Sequence, residues 1–295
     1  MTEPTLICIL GPTAVGKTAF AVKLAQVLNT EIISGDSRQF YKELSIGTAK
    51  PTPYEQGGIR HHFINSLSVL DTYSAGDFAR DARQVCTTLF QTKKTLILVG
   101  GSGLYIRALL NGLDALPQAN EELRAELHTV FSEQGISALQ RMLKQMSEHV
   151  YENTDVQNPQ RVMRAIEILK SPAEVHSAPY VFPYRVMKLG LELPRELLYE
   201  RINKRVDEMV KSGLESEARF MLPYKHTYAL QTVGYSEWFD YFEGKTTRDQ
   251  AIELIKQHTR NYAKRQLTWF RKQTDITWID AREAEDNIAE IAASI

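Results

Sequence analysis

The sequence predicts an α/β protein: a parallel sheet core flanked by helices, with a helical insertion between core strands. Three observations predict it. The apolar run Leu6-Ile7-Cys8-Ile9-Leu10 leads into a glycine-bearing loop, GPTAVGKT at 11–18, followed by a segment with Phe20, Leu24, Val27 and Leu28 on one helical face. A second continuous apolar run, Thr95-Leu96-Ile97-Leu98-Val99, has the pattern of a strand buried on both faces of a parallel sheet. Residues 118–182 read as helices with polar faces, and strand pattern returns only at 184–193.

Strand, loop and helix in that order are the context in which G-x-x-x-x-G-K-[ST] is a phosphate-binding loop. Gly11 and Gly16 permit the turn, so that Gly11, Pro12, Thr13, Ala14, Val15 and Gly16 wrap an anion with backbone N–H groups pointing inward. The helix start adds partial positive charge, Lys17 supplies a full charge to a terminal phosphate, and the Thr18 hydroxyl reaches Mg²⁺. The loop binds a di- or triphosphate; the motif leaves open which one.

A short strand at 31–35 comes next and ends in Asp36-Ser37-Arg38-Gln39-Phe40-Tyr41. Ligands gather at the carboxyl ends of strands in open α/β sheets, which places Asp36 near the phosphate loop. Residues 46–51 form a polar turn region. His61-His62-Phe63-Ile64 reads as a short strand; adjacent histidines on a strand face opposite sides, so one is expected packed and one exposed, with no metal clamp. Ser74 is an expected N-cap for a helix carrying Phe78, Ala82, Val85 and Leu89. The run at 95–99 ends in GGSGLY at 100–105 without the carboxylate a motor ATPase needs there, which argues against ATP hydrolysis. Ser102, between glycines, suggests a second close approach of backbone to ligand.

The chain changes character after Leu116-Pro117. Helices are expected at 121–131, at 136–146 and from Asn158-Pro159, an N-cap followed by proline at the first helical position. Val162, Ala165, Ile166 and Leu169 form the apolar stripe of the last, with Arg161 and Arg164 beside it, and Pro172, Pro179 and Pro183 mark the exit. The expected division is a core of 1–116 with 184–295 and an insertion of 117–183. Beyond it lie a helix at 195–212 closed by Gly213 and carrying Arg201 and Arg205, the segment QTVGYS at 231–236, a long helix at 248–272, a strand at 275–280 and a terminal helix at 282–295.

Net charge is −1, so a polyanion must be met by a local basic patch. One exists: between Leu254 and Thr274 there is no acid, while Lys256, Arg260, Lys264, Arg265, Arg271 and Lys272 are interleaved with Tyr262, Trp269 and Phe270. Lys256, Arg260 and Lys264 recur at four-residue spacing, and solvated helices usually interleave signs, which favours nucleic acid over a bland surface. Cys8 and Cys86, the two cysteines, lack the spacing of a zinc site or disulfide framework and suit a reducing, cytoplasmic setting. The N-terminus has no basic lead-in, and its apolar run is too short for a signal peptide or membrane span. Two readings of the loop stand at this point. A small-molecule or nucleoside kinase would use the same loop but has no use for the basic helix; a non-catalytic RNA-binding or GTPase-like switch would show no turnover.

GPTAVGKT at 11–18, DSRQFY at 36–41, IGTAKP at 46–51, HHFIN at 61–65, GGSGLY at 100–105, QRVMRAIEIL at 160–169, TVGYSE at 232–237 and YAKRQLTWFRK at 262–272 together resemble the bacterial tRNA dimethylallyltransferases, in family order and over nearly the whole chain. Ser102 and Asn65 stand where that family usually has Thr and Asp. The resemblance implies a P-loop kinase-like core with a helical insertion domain that binds tRNA. It implies transfer of a dimethylallyl group from dimethylallyl diphosphate to N6 of adenine 37 in tRNAs reading codons that start with U. Asp36 is then the expected base, with Ser102 fixing its direction or that of the amine, and the loop at 11–18 holds diphosphate with Arg205 as a further partner and Mg²⁺ on Thr18. Contacts with the tRNA anticodon stem-loop are expected from Asp36, Ser37, Arg38, Gln39 and Ser102; from Arg124, Gln160, Arg161, Val162, Met163 and Arg164; from Gly234 and Tyr235; and from Arg260, Lys264, Arg265 and Arg271. A cytoplasmic monomer without membrane contact is expected.

Overall fold

The computed structural model describes residues 3–113, 120–171 and 180–295. It divides into two compact units, Met1–Gly112 with Tyr180–Ile295, and Leu113–Pro179. The limits expected from sequence, 117 and 183, fall slightly downstream; Leu116, Pro117, Pro172 and Pro179 lie outside the described residues.

The larger unit begins with β1 (Thr5–Leu10), whose six residues are all buried, and α1 (Lys17–Leu28). β2 (Ile32–Ser34), β3 (His61–His62), α2 (Ala75–Leu89), β4 (Thr95–Val99) and α3 (Gly103–Asn111) follow. The smaller unit holds α4 (Glu121–Gln134), α5 (Ile136–Met146), α6 (Glu148–Glu152) and α7 (Pro159–Lys170). The chain then returns through β5 (Arg185–Glu192), α8 (Arg195–Lys211), α9 (Leu214–Met221), α10 (Ser236–Phe242), α11 (Arg248–Arg271), β6 (Thr277–Asp280) and α12 (Ile288–Ala293). The six strands form one sheet in the order β3-β2-β4-β1-β5-β6, with every pair parallel. Aliphatic runs such as β1 and β4 suit this position, because helices cover both faces of a parallel sheet. The order jumps at β1, which lies between β4 and β5, so the loop after β1 opens at the sheet's carboxyl edge where crossovers diverge.

Local signals hold well. Ser74 caps α2 in a full capping box with Asp77, Asn158 caps α7 by accepting from Gln160 and Arg161 N–H, and Gly213 takes the left-handed conformation after α8. Three expectations change. Val27, placed on the buried face of α1, is 59% exposed, because the helix packs through Phe20, Ala21, Leu24 and Ala25. The terminal helix is shorter than 282–295, since Asp280 ties down the turn by accepting the Arg282 N–H. Both histidines of β3 are half-buried: His61 Nδ1 meets Ile59 O at 2.9 Å and His62 Nε2 meets Glu31 at 2.7 Å. Among the described residues no helix is long and apolar enough to cross a membrane.

The smaller unit has its own core of Leu127, Leu139, Leu143, Val162, Met163, Ala165 and Ile166. Its amphipathic helices bury one stripe each, as their spacing requires.

Candidate active site

The loop after β1 is bent as its glycines demand. Gly11 has φ +140° and a side chain there would meet Leu191 O of β5 at 2.5 Å, so only glycine fits. Gly16, at φ +112°, caps α1. Pro12 has no N–H to offer an anion; its carbonyl accepts the Lys17 ammonium at 2.6 Å. Two arginines of α8 reach the loop: Arg205 donates to Thr13 Oγ1 at 3.3 Å and Arg201 to Val15 O at 3.4 Å. Burial pushes the Lys17 ammonium down to about 7, with the Asp36 carboxylate pulling it back up and Arg205 adding to the fall. Burial likewise lowers Arg205, again opposed by Asp36. A cation cluster under this strain is one that an incoming anion relieves.

Asp36 stands just beyond β2. Its Oδ1 accepts the Arg38 N–H at 2.9 Å, which fixes the carboxylate in an Asx turn. Of the two partners expected for Ser102, Asp36 or the substrate amine, Asp36 is not bonded to it directly. The Ser102 Oγ accepts the Ser37 N–H at 3.1 Å and donates to Ser37 Oγ at 3.2 Å, so it holds the turn that carries Asp36. Tyr262 of α11 lies against both; burial first, then the Asp36 charge, push its phenol up to about 12. The glycines around Ser102 serve a packing purpose within the protein. A side chain at Gly101 would collide with Gln266 Nε2 at 2.1 Å and one at Gly103 with Trp269 Nε1 at 2.2 Å. Gln266, buried on α11, accepts the Thr13 N–H at 2.8 Å and donates to Gly101 O at 3.0 Å, stitching the phosphate loop to the loop after β4.

These groups open into a cavity of about 580 Å³. Thr13 and Arg205 lie at its phosphate-loop wall, Asp36, Ser37 and Arg38 at another, and Tyr262 and Arg265 on α11, while Ile202, Val206, Met209, Val233 and Ile255 add an apolar surface. The wall at Gly47, Thr48 and Ala49 is held from outside: Glu217 accepts the N–H groups of Ser45 (3.1 Å), Ile46 (2.9 Å) and Gly47 (3.0 Å) and the Tyr235 hydroxyl (2.6 Å). Arrangement and charge together suit a small diphosphate at one end and a flat polar acceptor near Asp36.

Residues 39–273 match the family described as IPP transferase. The chain belongs to this family. It is 44% identical to the tRNA dimethylallyltransferase of Cytophaga hutchinsonii, covering 98% of this chain and 97% of that one. To the tRNA dimethylallyltransferase of Christiangramia forsetii it is 46% identical, over 98% and 97%. The crystal structure of the full-length tRNA isopentenylpyrophosphate transferase from Bacillus halodurans superposes with a TM-score of 0.74 at 37% identity, covering 99% and 96%. A eukaryotic dimethylallyltransferase acting on tRNA, at 23% identity and a TM-score of 0.75, shares the fold.

Several residues expected at RNA are placed otherwise in this IPP transferase chain. Gln39 is committed within the protein: its Nε2 donates to Thr48 O and Ala49 O, both at 3.3 Å, and its Oε1 accepts from Ser34 Oγ at 3.4 Å. Tyr235 is fully buried, and Val162 and Met163 are core side chains of the smaller unit, so these three present no side-chain surface to a ligand. Gly234 lines the cavity, with its N–H donated to Glu237 at 2.8 Å. The basic face of α11 is partly spent on α8. Lys256 pairs with Asp207 at 2.9 Å and with Glu253 at 3.0 Å, and Arg260 donates to Asn203 Oδ1 at 2.6 Å. Lys264 and Arg265 are exposed, and Arg271 pairs with Glu192 at 3.0 Å. In the smaller unit Arg124 and Arg164 both pair with buried Glu167, Arg161 pairs with Asp155 at 3.2 Å, and Gln160 is exposed at the start of α7.

Arg201, Gln266, Glu217 and Tyr262 are the site-forming residues that pattern reading did not single out for these roles. Arg201 carried a signal, its spacing of four from Arg205. Gln266 carried another, a polar residue in the buried register between Ala263 and Phe270. Glu217 carried none, because its partners are backbone groups of a distant loop.

Proposed function

We propose that this chain is a tRNA dimethylallyltransferase, transferring the dimethylallyl group of dimethylallyl diphosphate to N6 of adenine 37 in tRNAs that read codons starting with U. The products are N6-(dimethylallyl)adenosine and diphosphate. The observation that carries the reading is a carboxylate, Asp36, that shares one cavity with Thr13 of the phosphate loop and Arg205 of α8 and is close enough to act on the charges of Lys17 and Arg205.

The chemistry follows from that arrangement. The allylic C–O bond breaks with its electron pair passing to diphosphate. Loop N–H groups, Lys17 and Arg205 meet the negative charge where it develops. The adenine N6 lone pair forms the new C–N bond, and Asp36 takes the N6 proton, which an amine delocalised into its ring otherwise holds too tightly to attack. Ser102 and the Arg38 N–H keep Asp36 in place through the turn at 36–38. An adenine stacked in an RNA loop is out of reach, so it must be splayed out to enter.

Mg²⁺ fits this site. Thr18 offers a hydroxyl in the first turn of α1, directly after Lys17 of the phosphate loop. Thr18 would hold such an ion, a hard cation that takes oxygen ligands. When bound it would neutralise charge on the leaving diphosphate.

Arg124, Arg161 and Arg164, each oriented by a carboxylate, are the smaller unit's candidates for the RNA backbone, with Lys264 and Arg265 on α11. The protein acts in this reading as a monomer, and a reducing, cytoplasmic setting suits its two buried free thiols. The test is mass spectrometry of tRNA nucleosides after incubation with labelled dimethylallyl diphosphate. Prenylated adenosine formed without ATP supports the assignment; ATP consumed stoichiometrically, or label never reaching RNA, overturns it.

A further inference from the structure

Most arginines on the surface of this chain are tied to carboxylates, among them Arg80, Arg219, Arg248 and Arg282. Arg38 is different. It stands in the cavity wall beside Asp36 and Ser37 and has no ion-pair partner among the described residues. A single residue holds its guanidinium. Nη1 donates to Tyr228 O at 3.0 Å, and Cζ lies 4.7 Å from the centroid of the Tyr228 ring. Tyr228 opens the 3₁₀ turn Tyr228–Leu230, whose next two residues, Ala229 and Leu230, are buried in the cluster with Tyr41 and Trp238. The prop is therefore anchored in the core, while Tyr228 itself is 49% exposed.

The bond to the Tyr228 carbonyl uses an edge of the guanidinium, and the ring covers one of its faces. The guanidinium itself is flat, cationic and weakly hydrated, and Arg38 lines the cavity beside Asp36. Unpaired bases stack on such planes. We propose that Tyr228 is a positioning residue that props Arg38 as a stacking shelf for an unpaired base adjoining the adenosine that enters the cavity. The proposal rests on the reading of the acceptor as tRNA. A phosphate would instead seek the guanidinium's remaining edge donors, and charge alone would serve it.

The test measures affinity for an unmodified anticodon stem-loop RNA at several salt concentrations, with turnover and diphosphate affinity alongside. Tyr228→Ala is expected to weaken RNA binding by roughly three- to tenfold, with diphosphate affinity and the salt slope unchanged. Tyr228→Phe, which keeps ring and carbonyl, is expected to bind like the unmutated protein, and Arg38→Lys, which keeps charge without a plane, to bind as poorly as Tyr228→Ala. The shelf is overturned if Tyr228→Ala binds RNA normally, or if Tyr228→Phe is as weak as Tyr228→Ala. It is equally overturned if Arg38→Lys retains full affinity, or if Tyr228→Ala lowers the salt slope by about one, the mark of a lost phosphate contact. Failure of the assignment as a transferase looks different: the unmutated protein binds RNA but forms no prenylated adenosine, and the affinities still decide the shelf.

Discussion

Lys17 makes the site's electrostatics measurable. Burial holds its ammonium near 7, against an ordinary value of 10.5. A diphosphate seated in the loop surrounds it with negative charge and returns it toward that ordinary value, so binding must be accompanied by proton uptake wherever free Lys17 is neutral. With a midpoint near 7, about nine-tenths of the free protein carries neutral Lys17 at pH 8 and about one-tenth at pH 6. Titration calorimetry of magnesium diphosphate in buffers of different ionisation enthalpy counts these protons. The substitution Lys17→Arg keeps a permanent cation and cancels the ligand's own titration. The unmutated protein is expected to take up about 0.9 proton more than the variant at pH 8 and about 0.1 more at pH 6. Equal uptake by the two proteins at pH 8 would refute the reasoning. The sign for folding follows: a lysine whose folded value is depressed binds fewer protons folded than unfolded between 7 and 10.5, so its destabilisation is full below 7 and fades as pH rises. Lys17→Met should accordingly melt higher than the unmutated protein at pH 6.5, with the gap narrowing toward pH 10.

Other expectations concern the carboxylates and the phosphate loop. Asp36→Asn keeps an Oδ1 for the Arg38 N–H but cannot accept the amine proton; turnover should fall by about a hundredfold or more, with RNA affinity nearly unchanged, in single-turnover and binding assays. Turnover that survives would remove Asp36 as the base. Gly11→Ala forces a side chain against the backbone of β5 at φ +140° and should cost about 3 kcal/mol or more, read from urea midpoints. Glu217→Gln turns an amide toward N–H and O–H donors it cannot accept from, and should cost about 1–3 kcal/mol while raising KM for RNA more than for the prenyl donor. Gln266→Ala cuts the bond to the Thr13 N–H and should raise KM for the prenyl donor; an unchanged value would show that the phosphate loop holds its shape alone.

What was readable in the chain is what neighbours along it enforce. The run into GPTAVGKT, the Ser74 capping box, the Asn158-Pro159 helix start and Gly213 all rest on contacts within a few residues, and all are found. Asp36 near the phosphate loop was readable too, because a parallel sheet brings its strand ends to one edge. The finer assignment of polar groups was not. Gln39 looked available to a base and proves bonded to Thr48 and Ala49; Lys256 and Arg260 looked like an open basic face and prove to be turned onto α8; Ser102, expected to bond Asp36 or the amine, holds the turn of Asp36 through Ser37.

The physical reason is range. Backbone conformation and apolar periodicity are set by short stretches, so the strand, the glycine turn and the helix declare themselves in order. A hydrogen bond between Thr13 and Gln266 joins residues 253 positions apart, and whether a polar side chain meets solvent, substrate or another part of the protein depends on which element packing places opposite it. The kind of chemistry was therefore written locally, while the exact set of hands holding Asp36, Lys17 and Arg38 came from the way α8, α11 and the turn at 228–230 close over the sheet's carboxyl edge.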